Sequence, residues 1–205
     1  LRESWATFDA HDVEQRLASA RQTFLVARRC EEGAFAHPAP PIPHNHTVIA
    51  TDGSMILPSR HSPARFFVLN TGLVRLTYGE QPSAHLSAQP MLFSGDDAMT
   101  IPNDVRRTPQ NETTIGLMRA VHELCAAGDL AEASSGPTLA LQDGTLILWR
   151  LESQSDVVRT WILDDFAREL GRFEDLGIPL ASYISAPGAT ELMNMLRIAV
   201  CDYPL

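Results

Sequence analysis

The stretch that decides the fold is residues 47–54, Thr47-Val48-Ile49-Ala50-Thr51-Asp52-Gly53-Ser54. Its β-branched and apolar residues are typical of a buried strand. The run is followed by an acidic residue, Asp52, and then by a glycine, whose missing side chain permits a turn or a close approach to another group. We therefore expect a strand that carries one carboxylate to the edge of a sheet.

A second stretch repeats this design later in the chain. Residues 138–149, TLALQDGTLILW, again lead from a strand-like run into an acid and a glycine, Asp143 and Gly144. An isolated Asp-Gly pair is a common turn and has little specificity. Two such pairs at the ends of two strands are more specific, and they predict two carboxylates that meet at one edge of a sheet.

The first half of the chain otherwise indicates antiparallel strands. Residues 65–79 alternate apolar and polar side chains, which predicts a half-exposed strand. We expect a bulge at 70–72 within this one long strand, although Asn-Thr-Gly also fits a hairpin turn. A third strand is predicted at 90–94.

The second half of the chain alternates between helices and strands. Apolar periodicity predicts helices at 109–133, 155–176 and 189–201, with the second Asp-Gly strand and a strand at 178–185 between them. Alternation of this kind implies parallel pairing. The whole order predicts an α/β chain with a ribonuclease H-like mixed sheet flanked by helices.

The N-terminal part differs from the rest. Residues 3–32 have helical periodicity and predict an N-terminal helical extension. Residues 37–46 contain four prolines, which exclude a helix and indicate an extended connector. We therefore expect a helix and connector over 1–46 and the α/β domain over 47–205.

Composition narrows the class of protein. The apolar content is 44% and the net charge is -9, and no apolar run approaches the roughly 18 residues of a membrane span. The negative charge disfavours a polyanionic partner unless bound divalent cations reverse the local field. The cysteines, Cys30, Cys125 and Cys201, are widely spaced and fit reduced thiols in a cytoplasmic protein.

Glu123 has unusual neighbours within the predicted helix at 109–133. A helical wheel places Gly116, Ala120 and Ala127 around it, on the side away from the apolar face. Small residues of this kind let a backbone or a ligand approach closely. The alternative interpretation is an ordinary solvated glutamate.

Together these acids predict a chemistry. Hydrolysis of a phosphodiester by two metals needs clustered oxygen ligands for two divalent ions about 3.5–4 Å apart. Asp52, Glu123 and Asp143 lie on elements that are neighbours at one end of a ribonuclease H-like sheet. The residues therefore predict a metal-dependent phosphodiesterase.

Several ordered motifs also resemble the NurA-domain nucleases. The resemblance covers about residues 45–201, and its motifs are IATDGS at 49–54, SRHSPAR at 59–65, LNTG at 69–72, YG at 78–79, LQDGTLI at 141–147, ASYIS at 181–185 and LR at 196–197. It implies a ribonuclease H-like fold and a DNA nuclease that depends on Mn²⁺ or Mg²⁺. Such enzymes digest 5′ to 3′, cut single strands, form dimers and work with the hexameric translocase HerA in the resection of broken ends during homologous recombination.

The resemblance also assigns residues. Asp52 and Asp143 match the metal-binding aspartates of the family, and Glu123 matches its helix glutamate, with Glu112 as the alternative. We therefore expect these acids to be both catalytic residues and metal ligands.

Other features of the family match less completely. Arg60, His61 and Arg65 follow the first strand and are candidates for phosphate contacts, although a solvated turn explains them equally well. Ala186 stands where the family often has a basic residue. A further C-terminal portion with a histidine is expected beyond Leu205, and residues before Leu1 are also expected.

Two other functions stay open at this point. One is a non-catalytic ribonuclease H-like module for dimerisation or for docking a motor ATPase, which the net charge of -9 favours. The other is a sugar-kinase-like ATPase, a class that uses glycine-rich phosphate loops after its aspartates. Gly53-Ser54 and Gly144-Thr145 each contain only one glycine and so match such loops weakly, and no P-loop pattern occurs.

Overall fold

The structure, a computed structural model, describes residues 10–20, 24–28, 38–59, 61, 64–102 and 104–200. Contacts group the chain into a larger unit, 41–185, and a smaller unit made of 1–40 and 186–205. The described helices and strands are, in chain order, α1 (Ala10–Ser19), β1 (His46–Ile56), β2 (Phe66–Tyr78), β3 (Ser83–Ser94), α2 (Glu112–Glu132), β4 (Thr138–Asp143), α3 (Asp156–Leu176), β5 (Leu180–Tyr183) and α4 (Glu191–Val200). Within those residues, no helix is long and apolar enough to cross a membrane.

The larger unit is built on one five-stranded sheet. Strands β1, β2 and β3 form an antiparallel meander, and β4 and β5 add to it in parallel on the other side of β1. The strand order is β3-β2-β1-β4-β5, so the first strand of the unit is central. The predicted ribonuclease H-like mixed sheet flanked by helices is therefore confirmed.

The meander corrects two predictions. The pairing of β2 with β1 and with β3 runs in unbroken register through residues 70–72, so one long strand is confirmed but the bulge is wrong. Gly72 takes an ordinary place opposite Asp52 in that register. Strand β3 begins at Ser83 and is much longer than the predicted 90–94. The prediction missed its first eight residues because they are all exposed and have no alternating pattern of apolar and polar side chains.

Helices α2 and α3 cover one face of the sheet. Alternate residues of β1 are buried, as are those of β2, which places one side of each strand against the helices. The core between them is apolar and includes Ile49, Leu124, Ala140, Phe166 and Phe173. A capping box formed by Asn111 and Thr114 starts α2 three residues after the predicted helix start at 109.

The opposite face of the sheet is more open. Leu86 and Leu92 on β3 are 70% and 67% exposed, and Tyr183 on β5 is 70% exposed. Asp143 is the last residue of β4, whereas Asp52 lies within β1, four residues before its end at Ile56. Both aspartates are on the solvent side of the alternation, since they are exposed while Thr51 and Gln142 are buried. One face of the sheet is thus core and the other is available to solvent.

The smaller unit corrects the N-terminal prediction. Helix α1 ends at Ser19 and residues 24–28 are not helical, so the helix predicted over 3–32 is too long; residues 3–9, 21–23 and 29–32 lie outside the described part. The N–H of Ala27 donates to the carbonyl of Glu191 at 3.0 Å, and Asn194 Nδ2 donates to the carbonyl of Leu25 at 3.0 Å. These backbone groups bond to α4 and its start instead of continuing a helix.

Candidate metal-binding site at the ends of the central strands

Asp52 and Asp143 occupy equivalent positions on neighbouring strands. The parallel pairing of β1 with β4 runs from Thr47 opposite Thr138 to Thr51 opposite Gln142. Each aspartate is the next residue after this last pair. The two aspartates therefore occupy neighbouring positions, as the two Asp-Gly strands predict. The prediction that Asp52 lies at a strand end is wrong, because β1 continues to Ile56 and Gly53 pairs with Thr71 of β2.

The same two aspartates line one open cavity of about 590 Å³. Asn70 from β2, Ser87 from β3 and Tyr183 from β5 line it as well. Its walls thus come from all five strands, on the sheet face opposite α2. A cavity of this size accommodates part of an extended ligand.

Gly144 turns the chain away immediately after Asp143. Its φ of 89° lies in the left-handed region, which a residue with a side chain rarely adopts. Its N–H donates to the carbonyl of Tyr183 at 2.9 Å. The glycine of the second Asp-Gly pair therefore ends β4 and ties that end to β5.

Glu123 approaches β1 from the helix side and is only 5% exposed. Thr51 Oγ1 donates to the backbone carbonyl of Glu123 at 2.9 Å, which fixes α2 against β1. Gln142 Nε2 donates to Glu123 Oε2 at 3.2 Å. The residues that precede the two aspartates therefore hold Glu123, and the solvated alternative for this glutamate is wrong.

Gly53 lets the carboxylate of Glu123 come this close. A Cβ added to Gly53 would meet Glu123 Oε1, and it would lie 2.9 Å from both Glu123 Cδ and Arg119 Cγ. Real Cβ atoms do not approach other atoms so closely. The glycine of the first Asp-Gly pair thus makes room for a side chain of α2, while that of the second permits a turn.

Arg119 lies one helical turn before Glu123. Its Nη1 donates to the carbonyl of Gly53 at 2.6 Å, and its Nε lies 3.2 Å from Glu123 Oε1. The second contact has the distance of an ion pair but not the angle of a hydrogen bond, so Glu123 Oε1 and Arg119 Nε are buried atoms without a hydrogen-bond partner. Arg119 thus links the backbone of β1 at Gly53 to the buried carboxylate.

The environment of Glu123 disfavours its charged form. Burial is the main cause that raises the pKa of Glu123, and the charges of Asp52 and Asp143 raise it further. Arg119 and the N–H of Gly53 lower that pKa. The ionised form of Glu123 is therefore destabilised unless a positive charge is nearby.

The donors in this region suit a divalent cation. Carboxylate and carbonyl oxygens are the ligands that Mg²⁺ and Mn²⁺ prefer. The buried Glu123 Oε1 has no hydrogen-bond partner, and the missing Cβ of Gly53 leaves space beside it. In the described part of the chain, however, no three His, Cys, Asp or Glu residues are grouped closely enough to hold a metal ion. The oxygen ligands that these residues offer are thus of the kind that binds a divalent cation. Their positions differ, however, because Glu123 lies across the sheet from the cavity of Asp52 and Asp143.

The other predicted residues are farther away. Glu112 begins α2 and lies roughly 16 Å along the helix from Glu123 at 1.5 Å per residue. Arg65 precedes β2, about 24 Å along that strand from the position opposite Asp52. His61 is exposed in the same connection, and Arg60 lies outside the described residues. The structure does not bring Glu112, Arg65 or His61 to the carboxylates.

Three polar residues of this region were missed by sequence reasoning. Thr51 and Gln142 stand directly before the two aspartates, where alternation turns them toward the helix. Arg119 precedes Glu123 by four residues, the spacing of a helical ion pair. The strand alternation and the helical spacing are both visible in the sequence. They indicate contacts with Glu123 only when α2 is known to pack on β1.

Solved structures with a similar fold come from ribonucleases H and a viral polymerase. The protease-reverse transcriptase of Prototype Foamy Virus matches 80% of this chain and 21% of its own, at 15% identity and a TM-score of 0.41. The PFV RNase H domain matches 77% of this chain and 91% of its own, at 16% identity and a TM-score of 0.38. RNase H1 from Halobacterium salinarum NRC-1 matches 68% and 86%, at 12% identity and a TM-score of 0.30. The chain spans about a fifth of the length of the viral protein.

Family membership comes from the sequence itself. No curated protein matches this chain at a significant level. The model of the NurA domain matches residues 46–204, which include all five strands and helices α2, α3 and α4. This chain therefore belongs to the NurA-domain family.

Proposed function

We propose that this chain is a metal-dependent DNA nuclease whose catalytic residues and metal ligands are Asp52, Glu123 and Asp143. The observation that carries the proposal is the register of β1 and β4, which sets Asp52 beside Asp143 in one cavity. Membership of the NurA-domain family supports the same conclusion.

In the proposed mechanism the protein supplies oxygen ligands and orientation. Asp52 and Asp143 present carboxylates on the open face, where a DNA strand can lie across the ends of β1 and β4. Glu123 is held by Gln142 and by the packing of α2, so its carboxylate is fixed before a metal binds. Divalent ions, when bound, supply activation of water and stabilisation of the leaving oxygen. Mn²⁺ or Mg²⁺, two ions in each site, is the proposed cofactor.

The substrate is proposed to be DNA with single-stranded or broken ends. Two divalent ions add four positive charges beside the aspartates, and this reverses the local field despite the net charge of -9. The proposed nuclease cleaves in the 5′ to 3′ direction and also acts as an endonuclease on single strands. It forms a dimer and works with a HerA-type ATPase in recombinational repair in the cytoplasm. Phosphate contacts by Arg60, His61 and Arg65 belong to it as well.

The direct test replaces the aspartates by isosteric amides. Asp52→Asn and Asp143→Asn each remove a charged ligand without changing side-chain volume, so we expect Mn²⁺-dependent cleavage of single-stranded DNA to be lost in both. Asp164→Asn on the exposed side of α3 is the matched control and should retain wild-type cleavage. Full activity of Asp52→Asn would refute the proposed site.

The competing function is a non-catalytic docking module. The exposed apolar side chains on the open face, Leu86, Leu92 and Tyr183, favour it because such side chains mark surfaces that contact other molecules. Isothermal titration with Mn²⁺ separates the two functions. A nuclease site should bind Mn²⁺ with a requirement for Asp52 and Asp143, whereas a docking module should show no such requirement.

A further inference from the structure

Arg119 contacts two oxygen atoms that belong to the proposed metal-binding region. Its Nη1 is 2.6 Å from the carbonyl oxygen of Gly53, and its Nε is 3.2 Å from Glu123 Oε1. Gly53 directly follows Asp52 on β1, and Glu123 reaches it from the helix side of the sheet. Carbonyl and carboxylate oxygens of this kind are donors to divalent cations. The guanidinium therefore uses the same atoms that a metal ion would use.

A positive charge at this position has a physical reason. The side chain of Glu123 is 7% exposed, and a buried carboxylate without a counter-charge is strongly unfavourable. Arg119 supplies that charge from the preceding turn of the same helix. Gln142 contributes a neutral donor to the other carboxylate oxygen but no charge.

The contact is also built in a way that permits exchange. The ion pair between Arg119 Nε and Glu123 Oε1 lacks hydrogen-bond geometry, so it is a weaker contact than its distance suggests. The Arg119 side chain is 36% exposed and so has a path to solvent. An arginine held by one good hydrogen bond and one poorly aligned ion pair can be displaced without disrupting the core.

We propose that Arg119 is an internal counter-ion that holds Glu123 in the metal-free protein and competes with a divalent cation for Gly53 O and Glu123 Oε1. The inference rests on the proposed function and extends it from the ligands to a residue that sets metal affinity. Arg119 is a positioning residue in this scheme. When a divalent ion binds, the guanidinium leaves these oxygens for solvent.

The test measures Mn²⁺ affinity without DNA, by electron paramagnetic resonance of free Mn²⁺, on the full 205-residue chain. Arg119→Met keeps much of the side-chain volume and removes the competing charge, so we expect Mn²⁺ to bind about tenfold more tightly or better. Its melting temperature in EDTA should fall and should recover when Mn²⁺ is added. Unchanged or weaker Mn²⁺ binding by this variant would overturn the proposal.

A matched control separates this effect from a general change of charge. Arg168 on α3 pairs with Asp165 and Glu169 of its own helix. Arg168→Met removes the same charge and should leave Mn²⁺ affinity at the wild-type value. An equal gain in both variants would mean that net charge alone is responsible, and this would also overturn the proposal.

A second measurement uses the unmodified side chain, in case Arg119→Met does not fold. Mg²⁺ titration followed by ¹⁵N NMR of arginine Nε groups should shift the Arg119 signal and increase its exchange with water, with Arg119→Lys used for the assignment. A signal that is unaffected at saturating Mg²⁺ would overturn displacement. If neither wild type nor variant binds Mn²⁺, the proposed function fails together with this inference; binding that is equal in both refutes the inference alone.

Discussion

Gly53 and Glu123 are in contact without any space for a side chain between them. The carboxylate of Glu123 occupies the place where a Cβ of residue 53 would lie, although the two residues are on different elements of the larger unit. The contact joins the strand that carries Asp52 to the helix that carries Glu123. Four predictions concern this region and the packing that supports it.

Gly53→Ala should displace Glu123 and destabilise the fold. Overpacking of a closely fitted position costs about 1–3 kcal/mol in the free energy of unfolding, and the displaced carboxylate should also weaken Mn²⁺ binding. Urea denaturation and Mn²⁺ titration measure the two effects. Gly116→Ala on α2 is the control, because a Cβ there meets nothing within 4 Å and alanine is favoured over glycine in helices. A Gly53→Ala variant as stable as wild type would contradict the described contact.

Tyr183→Ala should weaken binding of single-stranded DNA. Tyr183 is 70% exposed and lines the cavity of Asp52 and Asp143, so its ring is available to stack on a base. Stacking contributes about 1–3 kcal/mol per base in proteins that bind single strands. Fluorescence anisotropy in EDTA measures the affinity without cleavage.

The control for this experiment is Tyr78→Ala. Tyr78 is also exposed, but its ring stacks on His46 at the other end of β1 and β2. Its loss should leave DNA affinity unchanged. If both variants, or neither of them, lose affinity, the assignment of Tyr183 to the DNA-binding face is wrong.

Arg172→Met should loosen the contact between α2 and α3. Arg172 on α3 donates to Asp129 and Glu132 on α2, each at 2.8 Å, and to Glu169 on its own helix at 3.2 Å. We expect a loss of about 1–2 kcal/mol, which is reduced from the value for buried pairs because two of the acids are more than half exposed. Arg168→Met, whose pairs lie within one helix, should cost less. Equal losses in the two variants would show that the contact between helices adds no stability.

The same contact predicts a dependence of stability on pH. The hydrogen bond from Arg172 lowers the pKa of Glu132 below its ordinary value. A carboxyl with a lowered pKa contributes stability above its unfolded-state pKa of about 4.3, and this contribution is lost as the pH falls through the folded-state pKa. Glu132→Gln should therefore be less stable than wild type at neutral pH, and the two should converge under acid conditions.

Denaturant unfolding of both proteins at a series of pH values measures this convergence. Glu152→Gln, at an exposed position outside the described ion pairs, serves as the control and should run parallel to wild type. A difference between Glu132→Gln and wild type that persists at the lowest pH would contradict the lowered pKa.

The sequence predicted those features that repeat locally. Asp52 and Asp143 each follow a run of strand residues, and parallel pairing of the two runs brings them to neighbouring positions. The parallel pairing itself was predicted from the alternation of strands and helices in the second half. The meander was predicted in outline, but β3 was largely missed because both of its faces are exposed over the first eight residues and no apolar alternation marks it.

Contacts between distant segments were not predictable in the same way. Arg119 and Gly53 are 66 residues apart, and their hydrogen bond depends on how α2 lies across β1. The burial of Glu123 likewise comes from the packing of α2 on β1 and β4, where Thr51 and Gln142 donate to it. The helix predicted over 3–32 failed for a similar reason, since α4 satisfies backbone groups that a local pattern assigns to a helix.

The central position of β1 has a consequence for the order of folding. The antiparallel pairs of β1 with β2 and of β2 with β3 close short loops, whereas β4 joins β1 only after the chain between Ile56 and Thr138 has been ordered. Long-range parallel pairing of this kind forms slowly because the loss of chain entropy precedes the gain from contacts. We therefore expect Asp52 and Asp143 to become neighbours late in folding, so that a partly synthesised or partly folded chain contains the individual acids without the pair.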